Sequence, residues 1–516
     1  IENIAVGRNS LASNTTGNFN TSVGHLASQN NTTGKDNTSL GHFALENNET
    51  GSNNVAIGSG ALKNNTASYN VAVGKDALFS NTTGIYNSAV GFNALYSNTT
   101  GYRNSAFGFY SLYKNTTGRY NSAFGDTSLY SNTTGNYNTA YGNMALLANT
   151  TGSYNNAFGM NALQQNTTGF NNSAFGEFSL EHNTTGYYNT ANGSNALYDN
   201  ITGSYNSAFG SSSLIYNKTG SKNVAFGNNS LSNNIDGSAN NAFGFGALLK
   251  NTTGTGNGGY GEEANPTTTT GWNNIGIGFH TLGNIDSGST RILGNQIGYD
   301  NIAFGLVAGD RIGNNCNQSA FIGPFSNVIT NDTNVSNSTA IGNGALVFQN
   351  NMMRLGNSAV TRIESQVGLT VVSDGRYKFN VKEEVKGLDF IKKLRPVVYQ
   401  YDTEKMDREW MNVEFDTMVK HNPQLLKDYQ KASQIRYSGF IAQEVEVASQ
   451  ALNYNFSGIS KPEKSDGHYG LDYASFVVPL VKAMQEQQEM IETLKQQNKA
   501  LENRLKAIEA KLNQTK

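Results

Sequence analysis

Gly118-Arg119-Tyr120-Asn121-Ser122-Ala123-Phe124-Gly125-Asp126-Thr127-Ser128-Leu129-Tyr130-Ser131-Asn132-Thr133-Thr134 is one copy of a unit that fills the first half of the chain. The glycine held here by Gly125 recurs at 7, 24, 41, 58, 74, 91 and 108 before it, and at 142, 159, 176, 193, 210, 227, 244, 261 and 278 after it. Every step is 17 residues except the one of 16 that carries Asn65-Thr66-Ala67-Ser68. Self-similarity at a fixed short period is the mark of a solenoid, in which each copy buries its apolar side only against its neighbours. A period of 17 is too short for two packed helices, and Asn, Thr and Gly are poor helix formers. Short apolar runs between Asn/Gly clusters predict two brief strands and two corners per coil. At roughly 4.8 Å per coil the regular part should extend about 80 Å.

Two columns of large apolar residues run through the copies. One passes through Val73, Val90, Phe107, Phe124, Tyr141, Phe158 and Phe175, the other through Leu62, Leu78, Leu95, Leu112, Leu129, Leu146 and Leu163. Two large side chains per coil make a thin core, which predicts further burial between identical chains. The asparagine before each short strand, as at Asn104, Asn121, Asn172 and Asn206, has two readings. It forms an internal ladder of amides, or it is a turn residue tolerant of left-handed dihedrals. Adjacent threonines such as Thr116-Thr117 and Thr133-Thr134 would point to opposite faces of a strand, unlike the flat threonine array of an ice-binding surface. The Asn-Thr-Thr runs match the N-glycosylation pattern, but a stacked turn accounts for them equally.

Composition narrows the function. Glycine is abundant at 56, proline scarce at 6, and tyrosine and phenylalanine number 26 each at fixed places in the repeat. That regularity argues for order in a polar sequence. A formal net charge of −2 gives no electrostatic case for nucleic acid. Cys316 is the single cysteine and the histidines are scattered, so neither a disulfide nor a metal site is expected, and no cofactor is implied. No run approaches the ~20 apolar residues of a membrane span. The sequence opens on Ile1-Glu2-Asn3-Ile4, already inside a repeat, so an N-terminal anchor or secretion signal is expected to lie outside it.

The strands Asn54-Val55-Ala56-Ile57-Gly58 and Asn70-Val71-Ala72-Val73-Gly74 resemble those of trimeric autotransporter adhesin heads, across roughly residues 1 to 345. The resemblance implies a trimeric β-roll. After residue 278 the spacing loosens, with strand glycines at Gly305, Gly323 and Gly342. Inserts such as Asn284 to Asp300 are expected to be loops or a receptor-facing surface.

From about Val360 the repeats end and Lys and Glu become common. Val371-Val372-Ser373-Asp374-Gly375-Arg376-Tyr377-Lys378 opens a series of blocks. They continue with Leu388-Asp389-Phe390-Ile391, Leu394-Arg395-Pro396-Val397-Val398-Tyr399, Gly439-Phe440-Ile441-Ala442-Gln443-Glu444-Val445 and Tyr469-Gly470-Leu471-Asp472-Tyr473. In this order they resemble the intramolecular chaperone auto-processing domain that ends phage tail spikes and fibres, endosialidases included, and is present in myelin regulatory factor. The resemblance implies a trimeric domain that aligns three chains and, in many members, cuts itself free beside a serine. Carried onto this sequence, the serine is Ser373 and its paired lysine Lys378, with Asp374 and Arg376 supporting the loop. A serine hydroxyl needs a base, and a lysine serves when burial leaves it neutral.

The final segment places Val477, Met484, Ile491, Asn498, Leu505 and Leu512 at one heptad position. Leu480, Gln487, Leu494, Leu501 and Ile508 occupy the other, which predicts a coiled coil with Asn498 setting register among Ile491, Leu494, Leu501 and Leu505. Residues 402–438, containing Met411-Asn412-Val413 and Leu425-Leu426-Lys427, predict a helical insertion.

The expected architecture is mainly β. It comprises regular coils over 1–290, irregular coils over 291–372, a small α+β chaperone domain over 373–475, and a trimeric coiled coil over 476–516. The function expected is a homotrimeric extracellular fibre of a virion, an injection device or a cell surface, binding a surface receptor or glycan without entering the membrane. A polysaccharide-degrading tailspike is the alternative, for which Glu177, Glu181, Glu262 and Glu263 are the available carboxylates. A bacterial surface adhesin is the third class, and a C-terminal membrane barrel would mark it.

Overall fold

The computed structural model describes residues 2–283, 298–312, 316–329, 335–368, 370–411, 413–462 and 468–514. Most of the insert Asn284 to Asp300 therefore lies outside the described residues, as do Asn412 and the last two residues. The chain forms two compact units, Ile1–Gly356 and Asn357–Lys516.

In the first unit each coil contributes one strand of three residues, and these strands stack into a single parallel sheet of 21 strands. Register is copy on copy. Ser105, Ala106 and Phe107 pair with Ser122, Ala123 and Phe124, which pair in turn with Thr139, Ala140 and Tyr141. The irregular spacing past Gly278 does not break the ladder, because Ile275–Ile277 pairs with Ile302–Phe304 and the sheet continues to Met353–Leu355.

The expectation of two strands per coil is corrected. The leucine side is a run of tight turns, with Leu112 and Leu129 at φ of 52° and 51°. Its backbone still bonds between coils, Leu129 N–H donating to Ala145 O at 3.0 Å. Left-handed dihedrals at every coil interrupt the extended backbone that a second strand requires. Among the described residues the leucine side becomes a strand only in the irregular region, where Asn327–Val328 pairs with Leu346–Val347.

The aromatic column is also corrected. Strand side chains alternate faces, so the central alanine points inward and its two neighbours point out. Ala106, Ala123 and Ala140 are fully buried, as are Leu112, Leu129 and Leu146, while Phe107, Tyr141 and Phe175 are exposed. The continuous core consists of alanine and leucine columns. In the regular coils alanine and leucine fill the interior and the rings lie outside; only in the irregular region does a ring, that of Phe321, enter the core.

The internal amide ladder is present. Asn121 is fully buried; its Nδ2 donates to Gly135 O at 2.9 Å, and its Oδ1 accepts from the backbone N–H of Asn138 at 3.0 Å. A second buried column comes from the Asn-Thr-Thr corners, where Asn132 Nδ2 donates to Asn115 Oδ1 at 2.8 Å and to Gly135 O at 3.1 Å. These columns satisfy corner backbone groups that neither strand nor helix would pair. The first threonine of each corner joins them, Thr116 Oγ1 donating to Thr133 O at 3.1 Å. Burial removes the asparagines of these corners from glycosylation in the folded chain.

The second unit is α+β. Antiparallel strands Val397–Tyr399 and Tyr437–Gly439 form a pair. Between them lie α2 (Thr403–Met411), α3 (Val413–His421) and α4 (Gln424–Ser433); α1 (Leu388–Ile391) precedes the pair and α5 (Ala442–Gln450) follows it. The expected helical insertion is thus three helices with an interior of their own, built on Trp410, Met411, Phe415, Met418, Leu425 and Tyr429. The last helix, α6, runs from Val477 to Gln514. Its 38 residues give a length of about 57 Å.

Candidate active site in the C-terminal unit

Ser373 lies just before a single turn of 3-10 helix, Gly375–Tyr377. Asp374 caps that turn, accepting from Arg376 N–H at 2.9 Å on Oδ1. Its Oδ2 takes the Arg376 guanidinium through Nε at 2.9 Å and Nη2 at 2.5 Å. These bonds from Arg376 hold the Asp374 carboxyl below its usual range. The loop is therefore closed by a charge-assisted clasp between Asp374 and Arg376.

The clasp folds the chain so that Lys378 returns to Ser373, Nζ donating to Oγ at 2.7 Å. The two residues singled out in the sequence are in hydrogen-bond contact. Both are exposed, as are Val371 and Val372 before them, at 89% and 83%. An ammonium in this position is a donor; to act as a base it must first shed its proton.

The remaining blocks build the support. Phe390, Val445, Ala448, Phe456 and Phe476 form the core, with Ile391, Leu394, Phe440 and Leu471 packed against it. Arg395 grips Glu444 with two bonds, Nε to Oε2 at 3.0 Å and Nη2 to Oε1 at 2.5 Å. Leu388 N–H donates to Glu486 Oε2 at 2.7 Å, which fixes α1 to the start of α6. Sequence reading missed Tyr473 as a tie. Its hydroxyl accepts from Phe440 N–H at 3.0 Å, directly after Gly439. A side chain at position 439 would fall 2.1 Å from that hydroxyl, so the glycine in the Gly-Phe-Ile block was the available signal.

The heptad residues of α6 lie uncovered. Ile491, Leu494, Leu501 and Leu505 are 45–59% exposed, and Asn498 sits among them, also exposed. No helix among the described residues is long and apolar enough to cross a membrane.

The four shaft glutamates are not gathered. Glu177 and Glu262 are exposed, Glu263 meets His280 at 3.0 Å, and Glu181 is buried. One shallow hollow of about 390 Å³, lined by Gln165, His182, Asp199 and Lys218 among others, has none of the four in its wall.

Residues 373–453 match the family model described as chaperone of endosialidase, and the match begins at Ser373 itself. No curated protein matches the chain. A parallel β-solenoid preceding a chaperone-of-endosialidase segment in sequence fits an endosialidase-type tail fibre or tailspike with a trimer-assembly domain.

Proposed function

We propose that this protein is a homotrimeric extracellular fibre that binds a cell-surface receptor or glycan, and that its C-terminal domain assembles the trimer and then cuts the chain beside Ser373. The uncovered heptad row on α6 carries the reading. An apolar heptad row along a helix of this length is the seam by which identical helices pack into a coiled coil. Holding three chains together at one end lets the solenoids form before slow non-local pairing goes astray. Three equivalent surfaces on one fibre then add avidity to weak single contacts.

For the cut, Ser373 Oγ attacks the Val372 carbonyl carbon while Lys378 accepts the hydroxyl proton. The C–N bond breaks, the Ser373 amine leaves protonated, and water hydrolyses the resulting ester to release the Val372 carboxylate. Both side chains are exposed in the single chain, so neighbouring copies are assigned the role of enclosing the pair for reaction. Cleavage thereby waits for assembly.

Light-scattering mass and a denaturing gel of the full chain beside Ser373→Ala test both parts. The expected result is a trimeric mass for both proteins, with a C-terminal fragment beginning at Ser373 only in the unsubstituted chain. A monomeric mass sinks the assembly reading. A single full-length band in both lanes sinks self-cleavage. The tailspike alternative predicts sugar release from a surface polysaccharide, lost on Glu262 or Glu263 substitution; absence of turnover favours the adhesive reading.

A further inference from the structure

The outward face of the shaft strands differs from the rest of the coil surface. Across all 21 strands of the sheet, neither outward position carries Asp, Glu, Lys, Arg or His. The next outward position along the chain, just after the strand glycine, does carry charge, at Arg8, Lys75, Asp126 and Glu177. The third strand position is apolar or aromatic in every strand but one, the exception being Asn192 between Phe175 and Phe209. Exposure in this row reaches 57% at Val6 and 54% at Phe304. At roughly 4.8 Å per strand the row is about 100 Å long, a continuous apolar strip of the kind that marks an interaction surface.

The rings select the occupant. Phe107 and Phe124 stack at 4.9 Å with 3° between planes, and Phe158 and Phe175 at 5.1 Å with 10°. Within the aromatic runs each ring covers the face of the next, so those runs present edges. A sugar stacks on a ring face and finds none here, whereas apolar edges meet other apolar edges well. The absence of charge points to identical partners. When parallel copies meet in register, each residue faces its own counterpart, and any charged column would face like charge along its whole length. The repeat supplies the matching period, which a globular partner lacks.

We infer that this charge-free aromatic row is the face on which three copies of the shaft pack in register, and that Asn192 sets that register. The inference rests on the trimeric reading above. Asparagine amides that meet can both donate and accept, and so satisfy one another. A slip of one coil places Asn192 against Phe175 or Phe209 and leaves its amide unpaired in an apolar contact.

Single cysteines in the full-length chain test this by copper-phenanthroline oxidation and a non-reducing denaturing gel, with light-scattering mass measured in parallel. Phe175→Cys, and Ser173→Cys in case the first disturbs packing, should crosslink most chains. Thr168→Cys, on an exposed corner, should stay at the background of the unsubstituted chain with its buried Cys316. A trimeric mass without crosslinks at Phe175 and Ser173 overturns the face while leaving trimerisation intact; a monomeric mass overturns both. Adding Asn192→Phe should lower the Phe175→Cys crosslink as staggered registers compete. An unchanged yield removes the register role.

Discussion

Replacing Asn121 by alanine tests whether the shaft is held by amide ladders as much as by its apolar core. The substitution removes four hydrogen bonds: two that Nδ2 donates, to Gly135 O and Asn104 Oδ1, and two that Oδ1 accepts from Asn138. The damage is uneven. Gly135 O keeps Asn132, Asn138 Nδ2 keeps Gly152 O, and Asn104 Oδ1 keeps the Asn121 backbone N–H. The backbone N–H of Asn138 loses its only side-chain acceptor at a buried corner. One orphaned buried donor costs about 1–3 kcal/mol, and the small cavity adds about 1 kcal/mol. The sum, about 2–4 kcal/mol, is local because each coil touches only its neighbours. At ~1.4 kcal/mol per tenfold, amides of the adjoining coils should exchange with solvent about 30 to 700 times faster. Hydrogen exchange read by mass spectrometry measures this directly and does not require reversible unfolding. Asn121→Asp should be worse, since it sets a carboxylate against Gly135 O and Asn104 Oδ1 in a buried site. Exchange in Asn121→Ala within threefold of the unsubstituted chain would refute the ladder's energetic role.

Other consequences follow from single residues. Gly125 has φ of +136°, and a Cβ there would lie 2.5 Å from Gly142 O, so Gly125→Ala should destabilise the shaft by at least ~1–3 kcal/mol, measurable by denaturant unfolding. Burial pushes the Cys316 thiol up to about 11, so a thiol reagent at pH 8 should leave it unlabelled until the chain is unfolded. Arg376 lowers the Asp374 pKa, so the clasp's contribution is present above the ordinary aspartate value and fades as pH falls through the lowered one. Carbon-detected NMR titration should therefore give Asp374 a lower midpoint than in Arg376→Gln; equal midpoints would break the argument. Leu494→Lys with Leu501→Lys should convert the trimer proposed above to monomer by light scattering, because the row they occupy is exposed among the described residues.

Much of this was legible in the sequence because a repeat reports its own geometry. A fixed step with glycine after each strand already states that coils stack in register, and the heptads of α6 already state where its apolar row lies. Ser373 and Lys378 were legible through the blocks around them; the spacing of one serine and one lysine says nothing alone. Periodicity tells which residues share a column but not which way the column faces. Ala123 and Phe124 recur equally well, and the larger one looks like core. Only the folded coil decides that alanine goes in and phenylalanine out, because the pleat alternates and alanine and leucine fill the interior of the regular coils. The leucine side likewise reads as a strand until its left-handed dihedrals are seen. The contact between Lys378 and Ser373 accompanies the Asp374–Arg376 clasp, a local closure that the order of residues permits and only the folded loop shows.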